Sequence, residues 1–250
     1  VRNDQLGGIF RHDIRASGVA FETPEAHEGE ATARCLIFVT SDAQRTMCTY
    51  LGAAVSLGPS DVPEDLIAAA KITYLEGYLW DRDSAKEAFL KAAEIAHAAG
   101  RRVALTLSDP FCVDRHRDSF RDLVENHVDL LFANESEITS LYQVTDFDEA
   151  LAAVRGHCEV AALTRSEAGS YIVSGTACHQ IDAVPVQKVV DTTGAGDLYA
   201  AGFLAGFANG HDLKRCGEMG ALAAAEVISH YGARPEHSLM DLVTAKLGAV

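Results

Sequence analysis

The chain has 250 residues, of which 48% are hydrophobic, so it can bury the core of one large domain or of one domain with a small appendage. Its 36 acidic residues outnumber its 21 Lys and Arg residues, and the net charge of −15 argues against nucleic acid or an anionic membrane as partner. The six cysteines lack metal-ligand spacing, and neither a transmembrane-length apolar run nor a signal peptide is evident, so we expect a cytoplasmic protein.

The first fifty residues predict a helix followed by a small β region. Apolar residues at helical spacing predict a helix over residues 4–16, and a short strand is expected at 18–21. Alternating apolar and polar residues at 32–39 and 45–51 predict a hairpin that turns at 41–44.

Helices and strands alternate from about residue 60 onwards. The predicted strands are 72–75, 103–107, 130–133, 159–163 and 171–173, and the predicted helices are 84–99, 120–127, 135–142, 195–208 and 213–230. Near-continuous apolar runs such as 103–107 are typical of strands that are buried on both faces. This alternation specifies an α/β sandwich with a mostly parallel sheet.

The sequence Asp-Thr-Thr-Gly-Ala-Gly-Asp at 191–197 carries the clearest chemical signal. Its glycines allow a tight turn, and the predicted helix that follows adds unpaired amides and a positive dipole end, so the loop suits a phosphate group. Asp197 in such a loop would accept a proton from an attacking hydroxyl group. The structural alternative is a glycine-rich turn whose Asp caps a helix. A dinucleotide fingerprint fails at Tyr199, and no P-loop or protein-kinase motif occurs.

The whole string resembles the C-terminal signature of the PfkB-type carbohydrate kinase family, which includes ribokinase and adenosine kinase. The resemblance implies a three-layer α/β/α ribokinase-like sandwich with a small β lid, to which residues around 18–40 contribute. It also implies ATP, Mg²⁺ and transfer of the γ-phosphoryl group to a primary hydroxyl group of a sugar or nucleoside. In that family, the amides that correspond to Gly194, Ala195 and Gly196 stabilise the transferred phosphoryl group. The Asp that corresponds to Asp197 binds the acceptor and removes the proton of its hydroxyl group.

Two further motifs are candidates for binding ATP and its metal ion. Asn134 and Glu137 match the family's N-x-x-E motif, which helps to organise Mg²⁺, largely through water; helix capping alone also explains this pair. Thr164 and Gly169 match the T-x-G-x-x-G nucleotide loop, in which Ser166 replaces the first glycine. A simple hairpin turn is the alternative for this second motif.

The resemblance implies three more nucleotide contacts, at Thr193, Ala221 and Gly232. Gly232 is the first residue of a G-A-x-P turn, which borders the adenine pocket in the family. Without the resemblance, the same residues indicate only the glycine at the end of a helix followed by a proline. Asp191 and Thr193 are also candidates for a monovalent cation (K⁺) site, with plain capping as an equal alternative.

The sequence indicates the type of reaction more specifically than it indicates the phosphoryl acceptor. Glu76 ends a predicted strand, and a Glu at the corresponding place contacts the sugar in ribokinase-like members. The segments Tyr-Leu-Glu-Gly-Tyr at 74–78 and Leu-Ser-Asp-Pro-Phe at 107–111 look closer to adenosine kinases, which favours an adenosine kinase-like activity. A ribokinase or other sugar kinase, and a non-catalytic nucleoside- or nucleotide-binding sensor on the same fold, are the alternatives.

The chain opens on Asp4-Gln5-Leu6-Gly7, which resembles the family's G-x-D-x-x-G segment. That segment normally lies well inside the protein, so we expect residues 1–250 to form one N-terminally incomplete kinase domain. The resemblance allows a monomer or a homodimer.

Overall fold

The structure, a computed structural model, describes residues 1–248 of the chain. The helices in this range are α1 (Gln5–Ala16), α2 (Glu64–Ala69), α3 (Asp83–Ala98), α4 (Pro110–His127), α5 (Glu135–Tyr142), α6 (Phe147–Ala153), α7 (Ala195–Ala208), α8 (Leu213–Val227) and α9 (Leu239–Leu247). The strands are β1 (Arg34–Val39), β2 (Arg45–Tyr50), β3 (Ile72–Glu76), β4 (Arg102–Thr106), β5 (Leu130–Asn134), β6 (Val160–Thr164), β7 (Ser170–Ser174) and β8 (Ala177–Ile181). Within these residues, none of the helices combines the length and the apolar composition that crossing a bilayer requires.

Strands β3 to β8 form the central sheet and follow one another across it in chain order. The first four are parallel, and β7 and β8 join them as antiparallel strands. Parallel neighbours need long crossovers, which α3, α4 and the α5–α6 pair supply. The predicted α/β architecture with a mostly parallel sheet is therefore confirmed.

The sheet is buried on both faces because successive residues of each strand point in opposite directions. Leu131 belongs to a core with Phe89 and Phe120, on the side of α3 and α4. Its neighbour Phe132 belongs to a second core with Phe203, on the side of α7 and α8. The two cores make this a three-layer sandwich.

A separate antiparallel hairpin, the lid hairpin, is formed by β1 and β2. Asp4 anchors its base, since one carboxylate caps α1 through the amide of Gly7 (2.8 Å) and also accepts from the amide (2.9 Å) and hydroxyl group (2.7 Å) of Thr32. These hydrogen bonds lower the pKa of Asp4 to about 2. The Asp in the G-x-D-x-x-G-like segment thus ties the first helix to the lid.

Two local predictions from the sequence are wrong. Residues 18–21 form no strand, because Gly18 adopts a φ of +81° and the guanidinium group of Arg15 holds the carbonyl group of Phe21 (2.7 Å) against α1. Helix α4 begins at Pro110 rather than at 120, with Asp109 as its N-cap. A kink at His116 (φ −127°) breaks the helical periodicity of the sequence there.

Candidate active site

The carboxyl ends of the parallel strands bring several predicted site residues to one edge of the sheet. Glu76 is the last residue of β3 and is paired in register with Thr106 at the end of β4. Asn134 and Thr164 end β5 and β6 and are register partners of each other. This edge is where open parallel sheets bind their ligands.

Asp191 anchors the loop that precedes α7. Its carboxylate is buried and accepts hydrogen bonds from the amide (2.9 Å) and hydroxyl group (2.6 Å) of Thr193 and from the amide of Gly232 (2.9 Å). Burial alone would raise the pKa of Asp191, but these hydrogen bonds outweigh it and lower the pKa below its ordinary value. Asp191 is therefore a charged brace between the loop and the turn at 232.

Gly194 and Gly196 meet different surroundings at the start of α7. Gly194 is the N-cap and has a φ of +82°, and a Cβ atom there would lie 3.0 Å from the Cβ atom of Ala233. A Cβ atom on Gly196 would meet nothing within 4 Å. The first turn of α7 therefore faces open space at the positive end of the helix, which favours an anion.

Asp197 is exposed in this first turn and faces the same cleft as Glu76. Burial raises the pKa of Glu76, and the negative charge of Asp197 raises it further, against the effect of the hydroxyl group of Ser108, which donates to Glu76 (2.9 Å). The two carboxylates, one open to solvent and one half-buried, thus lie close enough for their charges to interact. A hydroxyl group bound there could reach Asp197 as a proton acceptor.

Asn134 and Glu137 form a complete capping box. The side chain of Asn134 accepts from the amide of Glu137 (2.9 Å), and its own amide (2.9 Å) and side-chain nitrogen (2.7 Å) donate to the Glu137 carboxylate. Burial raises the pKa of Glu137 to about 7, and the charges of Asp109 and Glu76 add to this increase. A hydrated cation would compensate this buried negative charge, so the oxygen donors fit Mg²⁺ held through water. Among residues 1–248 no three His, Cys, Asp or Glu side chains converge to bind a metal directly.

The nucleotide candidates fall into two neighbouring groups. Gly169 (φ +83°) packs on the end of β8, where a Cβ atom would lie 2.0 Å from the carbonyl oxygen of Ile181. Ile181 and Ala221 line a cavity of about 340 Å³, so Gly169 and Ala221 border one region. Thr164, the last residue of β6, is paired in register with Ser170, which follows Gly169. Thr193 and Gly232 form the second group, joined through Asp191.

Ser166 shows why the family's pattern has a glycine at this position of the turn. Ser166 adopts a φ of +49°, a left-handed conformation that costs most side chains energy. The turn is closed by the amide of Arg165, which donates to the carbonyl group of Gly169 (2.8 Å).

The sequence interpretation missed Arg45, which begins β2. Its guanidinium group donates to the hydroxyl group of Thr192, and its charge helps to lower the pKa of Asp191. In a chain with a net charge of −15, Arg45 supplies positive potential beside the glycine loop. Only the position of an Arg at the start of a predicted lid strand could have indicated it.

Comparisons with known proteins agree with the fold. The family model for pfkB family carbohydrate kinases matches residues 1–238. A probable sugar kinase from Rhizobium etli CFN 42 has a similar structure, with a TM-score of 0.96 and 51% identity, over 100% of this chain and 76% of that chain. An adenosine kinase from Sinorhizobium meliloti has a TM-score of 0.95 and 51% identity, with the same coverage of 100% and 76%. A nucleoside kinase from Methanothermobacter thermautotrophicus is 29% identical over 240 residues, 93% of this chain and 72% of the relative.

Proposed function

Since the chain belongs to the pfkB family of carbohydrate kinases and is an ATP-dependent sugar or nucleoside kinase, we propose that its acceptor is the primary hydroxyl group of a nucleoside, with adenosine favoured. The observation that carries the proposal is the cleft between Asp197 and Glu76. It combines an exposed carboxylate with a helix N-terminus open to an anion, and Arg45 of the lid hairpin contacts the loop beside them.

The proposed chemistry assigns one task to each part of the loop. Asp197 takes the proton of the acceptor hydroxyl group, an effect worth about 10²–10⁴-fold in rate. The amides of Gly194, Ala195 and Gly196 stabilise the charge on the transferring group, and losing one such donor typically costs about 10²–10³-fold. Arg45 adds positive charge from the lid side.

Mg²⁺ fits beside Asn134 and Glu137 through water molecules. Held there, Mg²⁺ would offset the negative charge of the phosphate groups of ATP. A monovalent cation near Asp191 and Thr193 stays a prediction, since the contacts of Asp191 are those that capping alone would give.

One face of the lid hairpin favours a nucleoside rather than a bare sugar as the acceptor. Residues directly opposite in an antiparallel pair share a face, as do alternate residues along a strand, so Arg45, Met47 and Ile37 lie on one face of the hairpin. Because Arg45 reaches Thr192, this face is turned towards the cleft. Met47 is 47% exposed there, although it is apolar, and a nucleobase offers a matching apolar surface.

An exposed aromatic side chain follows the carboxyl end of β4 in the chain. Phe111 is 71% exposed in the first turn of α4, shortly after Ser108 in the loop that follows β4. A sugar kinase would need Glu76 and Ser108, which can bind ribose hydroxyl groups, but would leave Phe111 without a partner. The name of the Sinorhizobium meliloti relative, adenosine kinase, agrees with a base-binding surface.

The test is ADP release measured with adenosine, other nucleosides, ribose and fructose 6-phosphate. We expect the highest kcat/KM for adenosine, by at least about tenfold over ribose, because a buried aromatic base contributes ~1.4 kcal/mol or more. Higher kcat/KM for ribose or fructose 6-phosphate would overturn the nucleoside assignment. Saturable ATP binding without turnover of any acceptor would favour the sensor.

A matched pair of lid variants tests the base-binding face separately. Met47→Ala should raise KM for adenosine about tenfold, since it removes an apolar contact of ~1.5–3 kcal/mol, and should leave KM for ATP unchanged. Leu36→Ala removes a similar side chain, 62% exposed on the opposite face of the hairpin, and should leave both constants unchanged. Equal effects of the two variants would contradict the proposed orientation of the acceptor.

A further inference from the structure

A buried carboxylate near the end of α8 holds the segment 229–238 in place through hydrogen bonds. The side chain of Glu226 is 5% exposed and accepts from the backbone amides of Glu236 (2.9 Å) and His237 (3.0 Å). It also contacts the rings of His237 (3.2 Å) and His230 (3.3 Å). Burial would raise the pKa of Glu226, but these hydrogen bonds outweigh it and lower the pKa, so the segment is tied to a charged group.

Both ring nitrogens of His230 face acceptor oxygens, an arrangement that favours the ring with a proton on each nitrogen. Its Nε2 atom faces the Glu226 carboxylate, and its Nδ1 atom lies 3.2 Å from the carbonyl oxygen of Tyr231 and 3.9 Å from a carboxylate oxygen of Glu236. All of these partners only accept, whereas a neutral imidazole has one N–H group. The ring of His230 is 11% exposed; that of His237, the other titratable group on Glu226, is 79% exposed.

The same segment supports the loop at 191–197. The amide of Gly232 donates to the carboxylate of Asp191 (2.9 Å), and Ala233 packs against Gly194, the N-cap of α7. The amide of Val190 donates to the carbonyl group of Ile228 (2.8 Å), where the segment leaves α8. A shift of the segment would therefore move the start of α7.

We propose that Glu226 and protonated His230 form a clamp that positions the 191–197 loop, so that affinity for ATP falls when His230 loses its proton. Both are positioning residues, since they act through the segment and not on the substrate. The kinetic part of this inference rests on the proposed kinase function.

The sign of the pH effect follows from the direction of the shift. Burial would lower the pKa of His230, but the Tyr231 carbonyl group and the Glu226 carboxylate outweigh it and raise the pKa above its ordinary value of about 6.5. A group with a raised pKa stabilises the folded clamp fully below that ordinary value. The contribution is lost as pH rises through the raised pKa.

The kinetic test compares the wild type with His230→Gln between about pH 6 and about pH 9. With saturating Mg²⁺ and acceptor, we expect KM for ATP of the wild type to rise about three- to tenfold over this range, the net scale of one typical hydrogen bond. His230→Gln should show the high value at every pH, with a smaller change in kcat. His237→Gln makes the same substitution on an exposed ring beside the same carboxylate and keeps the backbone contact, so it should follow the wild type. A wild-type profile in His230→Gln would overturn the clamp.

A second measurement does not depend on turnover. The protection of the Gly232 amide against hydrogen exchange, corrected for the intrinsic rate at each pH, should fall in the wild type at high pH and be low throughout in His230→Gln. Should that variant fail to fold, Glu226→Gln keeps the shape of the side chain and should also show low protection. Equal protection in the wild type and a folded variant at every pH overturns the clamp. Absence of turnover with every acceptor overturns only the proposed function.

Discussion

Gly194 and Gly196 stand two residues apart and are glycines for different reasons. Gly194 needs a left-handed backbone and a close approach to Ala233, so its requirement is one of folding. Gly196 has ordinary backbone angles and open space around it, so nothing in the fold itself requires a glycine at this position. The space beside Gly196 is where a phosphoryl group would lie under the proposed mechanism.

The two alanine variants should therefore separate stability from activity. Gly194→Ala should lower the free energy of unfolding by about 1–2 kcal/mol, the cost of the left-handed conformation, as measured by urea denaturation. Gly196→Ala should leave that free energy within about 0.5 kcal/mol or raise it, since Ala favours helices. It should still reduce kcat/KM for ATP by about tenfold or more, because its methyl group occupies the anion site. Unchanged activity in a folded Gly196→Ala protein would argue against that site.

At the scale of elements, the turn between β6 and β7 has a serine where the family's motif has its first glycine. Ser166 adopts the backbone angles that glycine has without cost, and Gly169 meets the carbonyl oxygen of Ile181 too closely for any side chain. We therefore expect this departure from the T-x-G-x-x-G motif to cost stability through the left-handed backbone of Ser166.

Replacing Ser166 by Gly should accordingly stabilise the protein. We expect Ser166→Gly to raise the free energy of unfolding by up to about 1 kcal/mol, the relief of left-handed strain less the extra entropy of the unfolded chain. Glu167→Gly, at the next residue, has no such strain to relieve and should lower stability by about 0.5–1 kcal/mol. Thermal or urea unfolding of both variants gives the comparison, and destabilisation by Ser166→Gly would show that the serine is not strained.

Across the whole molecule, local patterns predicted five of the six strands of the central sheet, and the family resemblance supplied most of the candidate site residues. The buried strands are apolar runs, such as that in β4, and the residues at their ends come to one edge because the strands are parallel. Long-range contacts could not be predicted from spacing. Arg45 meets Thr192 across 147 positions, and the bonds that Glu226 makes depend on how the segment 229–238 folds back.

Elements with weak periodicity were also missed. Helix α6 is short, β8 is exposed along most of its length, and the start of α4 is hidden by the kink at His116. In each case tertiary packing or a single cap, such as Asp109, determines the element more than its own sequence does.

The account of the whole protein depends on Asp197 acting as the base at the start of α7. The most direct measurement is the turnover of Asp197→Asn beside its affinity for ATP, with Asp241→Asn, the same exchange in the exposed first turn of α9, as the control. We predict that Asp197→Asn binds ATP within about twofold of the wild type but loses about 10²–10⁴-fold in kcat with its best acceptor, while Asp241→Asn is unchanged. A wild-type kcat in Asp197→Asn would contradict the assignment.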